Sequence, residues 1–153
     1  MLVEDVMSKN LYCCAPSDTA QAAAKTMKAQ GVGALPVVSG STNRRLEGIV
    51  TDRDLCCSVV AGAKLAETTR IADVMTRNPI TCAVENTLDE CEELMQKHQV
   101  RRLPVIDKQG RCFGLVAQAD IALHGPAGAV VARMVAEISK PATRRSGVQA
   151  AGA

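Results

Sequence analysis

A repeated motif is the feature that most constrains how this 153-residue chain can fold. Residues 48–54 read Gly-Ile-Val-Thr-Asp-Arg-Asp, and residues 114–120 read Gly-Leu-Val-Ala-Gln-Ala-Asp. Two further motifs recur 68 residues apart: Asp-Val-Met at 5–7 and 73–75, and Leu-Pro-Val at 35–37 and 103–105. The chain is therefore predicted to be one structural unit used twice.

Hydrophobic periodicity predicts the elements of each unit. In the first unit a short opening segment (3–7) precedes a helix at 18–30, two strands at 35–39 and 46–50 that form a hairpin, and a closing helix at 52–61. The second unit repeats the pattern with an opening segment at 71–75, strands at 103–107 and 112–116 and a closing helix at 118–123. Its long helix begins with a capping-box pattern, Thr87 and Glu90.

One such unit leaves an apolar sheet face that it cannot cover alone. We therefore expect an α+β module in which two units pack about a pseudo-twofold axis, with helices outside and a cleft on each side. The predicted boundaries are 1–61 for the first unit, 62–70 for a linker and 71–124 for the second unit. Residues 125–153 are expected to form one more amphipathic helix, which Pro141 stops, and a disordered tail.

Composition argues against several classes of function. The formal net charge is only +2, and the chain has one Tyr, one Phe and no Trp, so neither a phosphate-backbone surface nor a stacking platform for nucleic acid is predicted. No apolar run has the length of a membrane span, and residues 1–10 have no signal-peptide pattern. We therefore expect a cytoplasmic protein. No catalytic residues are predicted, because no hydrolase, P-loop or zinc-protease motif is present.

Seven cysteines form an unusual part of the composition. Their spacing does not match a zinc site, and neither histidine lies at a ligand offset from a cysteine pair, so no metal is predicted. Most are interpreted as small core side chains. The adjacent pairs Cys13–Cys14 and Cys56–Cys57 leave a redox role as an alternative.

As a set, the repeated motifs resemble the cystathionine-β-synthase (CBS) domain pair, or Bateman module, over residues 3 to about 123. The resemblance implies two β-α-β-β-α units, frequent dimerisation and adenosyl ligands bound in the clefts between units. It also implies a sensor that acts on a separate protein target rather than an enzyme. No nucleic-acid or membrane partner is implied.

The resemblance assigns residues to the first cleft. Asp54 would accept the ribose hydroxyls, while the helix N-terminus after Thr51 and two arginines would hold phosphate. Apolar side chains would flank the adenine. The complete set is Ile49, Thr51, Asp54, Ile80, Thr81, Arg101 and Arg102, and the expected ligands are AMP, ADP, ATP or NAD.

The second cleft departs from this pattern. Asp120 remains, but Ala117 replaces the threonine, Cys13 stands opposite Thr81, and Gly33 and Ala34 stand opposite the two arginines. The cleft is therefore predicted to lack phosphate charges and to be empty, weak or suited to an uncharged adenosine.

Other interpretations stay open for these residues. Thr51 and Asp54 also fit a capping box, although capping explains Asp120 less readily once its partner is Ala117. The arginines also fit a solvated surface. The functional alternatives are a ligand-independent dimerisation module and a cysteine-based redox sensor. A homodimer is expected whichever of these functions holds.

Overall fold

The computed structural model describes residues 1–40 and 42–124, with residues 132, 135, 137 and 138 beyond them. In these residues the chain forms two three-stranded sheets flanked by helices, which confirms the α+β class. The α-helices are α1 (Val3–Val6), α2 (Ala20–Gln30), α3 (Asp52–Asp54), α4 (Leu88–His98) and α5 (Gln118–His124), and the described residues also form a π-helix (Leu55–Val60) and a 3-10 helix (Ile71–Asp73). The strands are β1 (Ala34–Ser39), β2 (Arg45–Thr51), β3 (Thr76–Arg77), β4 (Cys82–Ala83), β5 (Arg102–Ile106) and β6 (Cys112–Ala117).

The two long helices begin and end where their capping residues predict. The Ala22 N–H donates to the Thr19 hydroxyl at 3.2 Å, and α2 ends at Gly31 in the left-handed conformation, with φ of 64°. In α4, Thr87 and Glu90 form the predicted capping box. Helix α2 buries its small apolar face, which includes Met27, against the sheet.

The hairpins form as predicted, β1 with β2 and β5 with β6, both antiparallel. The register shifts between Val37 and Val38 in the first hairpin and between Val105 and Ile106 in the second, so the repeat extends to its irregularities. The first strand of each unit is short. It is the two-residue β4 in the second unit and, in the first unit, an isolated bridge between Cys14 and Val37.

The opening segment of each repeat crosses to the sheet of the other repeat. Strand β3, from the second repeat, pairs antiparallel with β2 of the first. In the equivalent contact, the Ser8 N–H donates to the Leu115 carbonyl of β6 at 3.0 Å. The packing units are therefore offset from the sequence repeats.

The two hydrophobic cores follow this exchange. The first contains Cys14, Ala20, Ala23, Met27, Leu35, Val37, Val50, Leu55, Val59, Ile71 and Val74. The second contains Val3, Cys82, Leu88, Cys91, Met95, Leu103, Val105, Val116, Ile121 and Ile138. Thus Val3 packs in the core of the second unit, and Ile71 and Val74 pack in the core of the first.

The tips of the two hairpins are also joined. The Leu46 N–H donates to the Gly110 carbonyl at 3.0 Å, and the Cys112 N–H donates to the Arg44 carbonyl at 2.9 Å. The units are thus connected by backbone hydrogen bonds at the hairpin tips as well as by the exchanged segments. These contacts fix the walls of the space between the units.

Only residues 132, 135, 137 and 138 of the predicted C-terminal helix are described; all four are helical, and Ile138 is buried. The rest of that helix and the tail at 142–153 lie outside the described residues. Within the part of the chain that the structure covers, no helix has both the length and the apolar character needed to cross a membrane.

Candidate functional site

A cavity of about 240 Å³ lies between the two units beside the start of α5, at the position of the predicted second cleft. Residues of three regions form its walls: the stretch that follows the opening segment of the first repeat, the turn between α2 and β1 with the start of β1, and the start of β5 with the end of β6 and α5. They are Ser8, Asn10, Leu11, Tyr12, Gly31, Val32, Gly33, Ala34, Arg102, Leu115, Ala117 and Asp120.

Asp120 is held in this wall by the start of α5. The Ala117 N–H donates to Asp120 Oδ2 at 2.7 Å, so the carboxylate caps the helix although a threonine is missing. Capping therefore accounts for one of the two bonds of the box at Asp120, whereas both are present at Asp54. Within the described residues Oδ1 has no hydrogen-bond partner, so one oxygen of this cavity-lining carboxylate can still accept a ligand hydroxyl.

Asp54 is held in the same way at the start of α3. The Thr51 N–H donates to Asp54 Oδ2 at 2.9 Å, and the Asp54 N–H donates to the Thr51 hydroxyl at 3.1 Å. This capping box confirms the structural interpretation of the motif. As with Asp120, the hydrogen bonds that the structure describes leave Oδ1 of Asp54 without a partner.

The repeat relates the lining of the cavity to the predicted first cleft. Positions 12, 33, 34, 115, 117 and 120 of the cavity wall are equivalent to Ile80, Arg101, Arg102, Ile49, Thr51 and Asp54. Six of the seven residues assigned to the first cleft thus occupy positions equivalent to residues that line the second cleft. Thr81 is different, because its equivalent, Cys13, is not among the residues that line the cavity.

The two arginines have different environments. Arg101 is exposed, whereas Arg102 is half-buried and lines the cavity of the second cleft. Arg102 begins β5, where it pairs with Ala117, and its Nη2 would lie 3.3 Å from a Cβ added to Gly33 of the first unit, so it lies at the boundary of the two units. The expectation that the second cleft has no positive charge is therefore wrong.

Tyr12 is the lining residue that sequence reasoning missed. The residue is 37% exposed and lines the cavity, where it is the one aromatic residue among those that form the wall. It is equivalent to Ile80, which had been assigned to the first cleft. Applying the repeat offset to that assignment would have identified it.

The cysteines divide by burial. Cys14, Cys82, Cys91 and Cys112 are buried, as expected for core side chains, and Cys56 and Cys57 are exposed on the turn that follows α3. Burial raises the pKa of Cys14 to about 12 and that of Cys112 to about 11, so both are thiols at neutral pH. This protonation argues against Cys14 as a redox centre.

Among the described side chains, no group of three or more His, Cys, Asp or Glu converges in a way that could hold a metal ion.

Comparison with known proteins gives one consistent family. The CBS domain family matches twice, at residues 3–60 and 71–125. The protein YlbB of Bacillus subtilis, whose function is uncharacterised, is 34% identical over 145 residues and aligns with 95% of this chain and 96% of its own length.

Two structurally characterised proteins are also similar. Hypoxic response protein 1 of Mycobacterium tuberculosis is 38% identical over 128 residues, 83% of this chain and 87% of its own. A crystal structure of Hypoxic Response Protein I with two coordinated zinc ions superposes with a TM-score of 0.73, at 32% identity, over 82% of this chain and 100% of that one.

The CBS domain pair of protein MJ0100, in complex with 5-methylthioadenosine and S-adenosyl-L-methionine, gives a TM-score of 0.69 at 30% identity and covers 80% of this chain and 94% of that one. The matches span both repeats and nearly the whole length of these relatives. The chain therefore belongs to the CBS domain family and contains two copies of that domain.

Proposed function

We propose that the protein is a regulatory module that binds an adenosyl ligand between its two CBS domains and signals the ligand's presence to a separate protein. The observation that carries the proposal is the cavity between the units, into whose wall helix capping fixes the Asp120 carboxylate. A carboxylate with a free oxygen suits the two hydroxyls of a ribose. The MJ0100 pair, which has a similar fold, binds two adenosyl compounds.

The first cleft is proposed to take AMP, ADP, ATP or NAD. Asp54 would accept the ribose hydroxyls there, and the phosphates would meet Arg101 and the backbone N–H groups at the start of α3. Ile49 and Ile80 would flank the adenine, with Thr81 beside them. Because the ligand would contact both units, its binding energy can favour one arrangement of the units over another.

A homodimer is part of the proposal. The exposed apolar side chains include Val60 at 75% and Leu123 at 78%, one near the end of each closing helix. A second copy would cover them. Sedimentation with and without nucleotide would show whether ligand changes this association.

The decisive test removes one charge without removing the cap. In Asp54→Asn the amide oxygen can still accept the Thr51 N–H, so the helix start is retained while the carboxylate is lost. We expect affinity for AMP, ADP, ATP and NAD at the first cleft to fall about tenfold or more, because hydrogen bonds to a charged group contribute about 1.5–3 kcal/mol. Calorimetric titration measures this loss.

Asp5→Asn is the matched control. The Leu2 N–H donates to Asp5 Oδ2 at 3.0 Å, so Asp5 has the same local role at the surface and does not line the cavity. Its substitution should leave nucleotide affinity unchanged. A wild-type protein that binds none of the adenosyl compounds, once co-purified ligand is excluded, would contradict the proposal and favour a ligand-independent dimerisation module.

A further inference from the structure

The side chain of Arg102 reaches the first unit at Gly33. A Cβ added to Gly33 would lie 3.3 Å from Arg102 Nη2 and 3.0 Å from Asp52 Oδ2. The guanidinium and the carboxylate therefore both border the space that a side chain at residue 33 would fill. Neither group has an ion-pair partner within the residues that the structure describes.

The charges around the second cleft are consequently one cation and two carboxylates. Arg102 and Asp120 line the cavity, and Asp52 lies near the guanidinium, beside Gly33. An anionic group on a ligand could contact Arg102. Additional phosphates would add negative charge close to Asp52 and Asp120, where repulsion opposes them.

The equivalent positions of the first cleft carry one carboxylate fewer. Arg101 stands where the second cleft has Gly33, Ala34 stands where it has Arg102, and Gln118 stands where it has Asp52. Each cleft thus has one arginine, and the first cleft lacks the additional carboxylate. Two clefts with the same backbone therefore differ in the charge that they present to a ligand.

We infer that Arg102 is the specificity-determining residue of the second cleft, and that with Asp52 near it the cleft selects adenosyl ligands that carry a single anionic group. The anionic group is one phosphate, as in AMP, or one carboxylate, as in S-adenosylmethionine. Adenosyl ligands with two or more phosphates would bind the first cleft in preference to the second. The inference rests on the proposed function and adds a difference between its two sites.

Tyr12 provides a signal specific to this cleft. It lines the cavity and is the only tyrosine in a chain that has no tryptophan, so intrinsic fluorescence reports on the second cleft alone. The test titrates Asp54→Asn protein with adenosine, AMP, S-adenosylmethionine and ATP, with correction for ligand absorbance. We expect AMP or S-adenosylmethionine to bind about tenfold tighter than adenosine, because of one charge-assisted hydrogen-bonded contact, and tighter than ATP.

Three further variants in the same background test the assignment. Arg102→Gln should bring AMP and S-adenosylmethionine to the affinity of adenosine, while unchanged adenosine binding shows that the protein is folded. Asp52→Asn should improve ATP more than AMP. Arg45→Gln, which removes the same charge at an exposed hairpin position, should change none of these affinities.

Two results overturn the inference and leave the proposed function standing: ATP binding the second cleft as tightly as AMP, or nucleotide binding to wild type without any Tyr12 response. The preference for one anionic group persisting in Arg102→Gln would also overturn it. If wild type binds no adenosyl compound at either cleft, both the inference and the proposed function fall.

Discussion

At the scale of single residues, the repeated glycines mark where the exchanged segments cross the sheets. A Cβ on Gly48 would lie 2.7 Å from the Thr76 carbonyl oxygen, and one on Gly114 would lie 2.6 Å from the Ser8 carbonyl oxygen. Both contacts are with backbone, which cannot move aside as a flexible side chain can. Glycine is required at these positions by the close approach of another strand.

Gly48→Ala and Gly114→Ala should each destabilise the protein by about 1–3 kcal/mol, because the added methyl group forces the crossing segment away. Urea unfolding followed by circular dichroism measures the loss. The exposed substitution Lys25→Ala should change stability by less than about 0.5 kcal/mol. Equal stability of Gly48→Ala and wild type would show that the segment does not cross here.

The sequence identifies these two glycines as special but does not show why glycine is needed there. Gly48 recurs at 114 in register with other motifs, so the repeat identified it as special. The carbonyl that it must admit belongs to the other repeat, and no local pattern indicates that contact. The sequence analysis assigned Arg102 to the first cleft for a related reason. Its environment depends on Gly33 in the other unit, which no local pattern indicates.

At the scale of elements, the two closing helices share a start that is complete in one copy and half complete in the other. In α3 both capping bonds are present, between Thr51 and Asp54. In α5 the Ala117 N–H still donates to Asp120, but the hydroxyl that would accept the Asp120 N–H is missing. The hydroxyl that Thr51 has and Ala117 lacks therefore separates the two helix starts.

Ala117→Thr should stabilise the protein by about 0.5–2 kcal/mol, because it completes the box with the existing Asp120. Thr51→Ala should destabilise it by a similar amount. For a chain of this length each kcal/mol shifts the melting temperature by about 2–4 °C, which thermal unfolding resolves. Shifts of the same sign for both substitutions would contradict this account of the caps.

The closing helix of the first unit also shows what periodicity cannot predict. It was expected as one helix over 52–61, but after α3 it continues as a π-helical turn, Leu55–Val60, in which the Ala61 N–H donates to the Cys56 carbonyl five residues back. Helical periodicity predicts which residues are buried. It does not distinguish a bond to the fourth residue from a bond to the fifth, because Leu55 and Val59 are buried in either case.

At the scale of the whole molecule, the repeat boundary and the packing boundary differ. The first core uses residues from Cys14 to Val74, whereas the second uses Val3 together with residues after position 80. The sequence predicted two units and their elements but assigned each opening segment to the unit that it begins. Two similar cores offer similar apolar surfaces, so the pattern alone cannot decide which core a segment enters.

A fragment comparison tests the exchanged boundary. Residues 14–77 contain every member of the first core and strand β3, while residues 1–70 lack Ile71 and Val74. We expect the fragment 14–77 to unfold cooperatively in circular dichroism melts and to resist protease, and the fragment 1–70 to do neither. Equal cooperativity of the two fragments would contradict the exchange of segments.

Because of the exchanged segments, the two cores can form at different stages of synthesis. Everything that the first core needs is contiguous, so it can close as soon as residue 77 has left the ribosome. Val3 is among the first residues made, yet every other member of its core lies at or after Cys82. Closing the second core therefore bridges more than half of the chain, a long loop with a slow, entropically costly closure. Two domains of nearly the same sequence pattern would thus fold in a fixed order, the first early and the second only after its leading segment has waited for the rest of the chain.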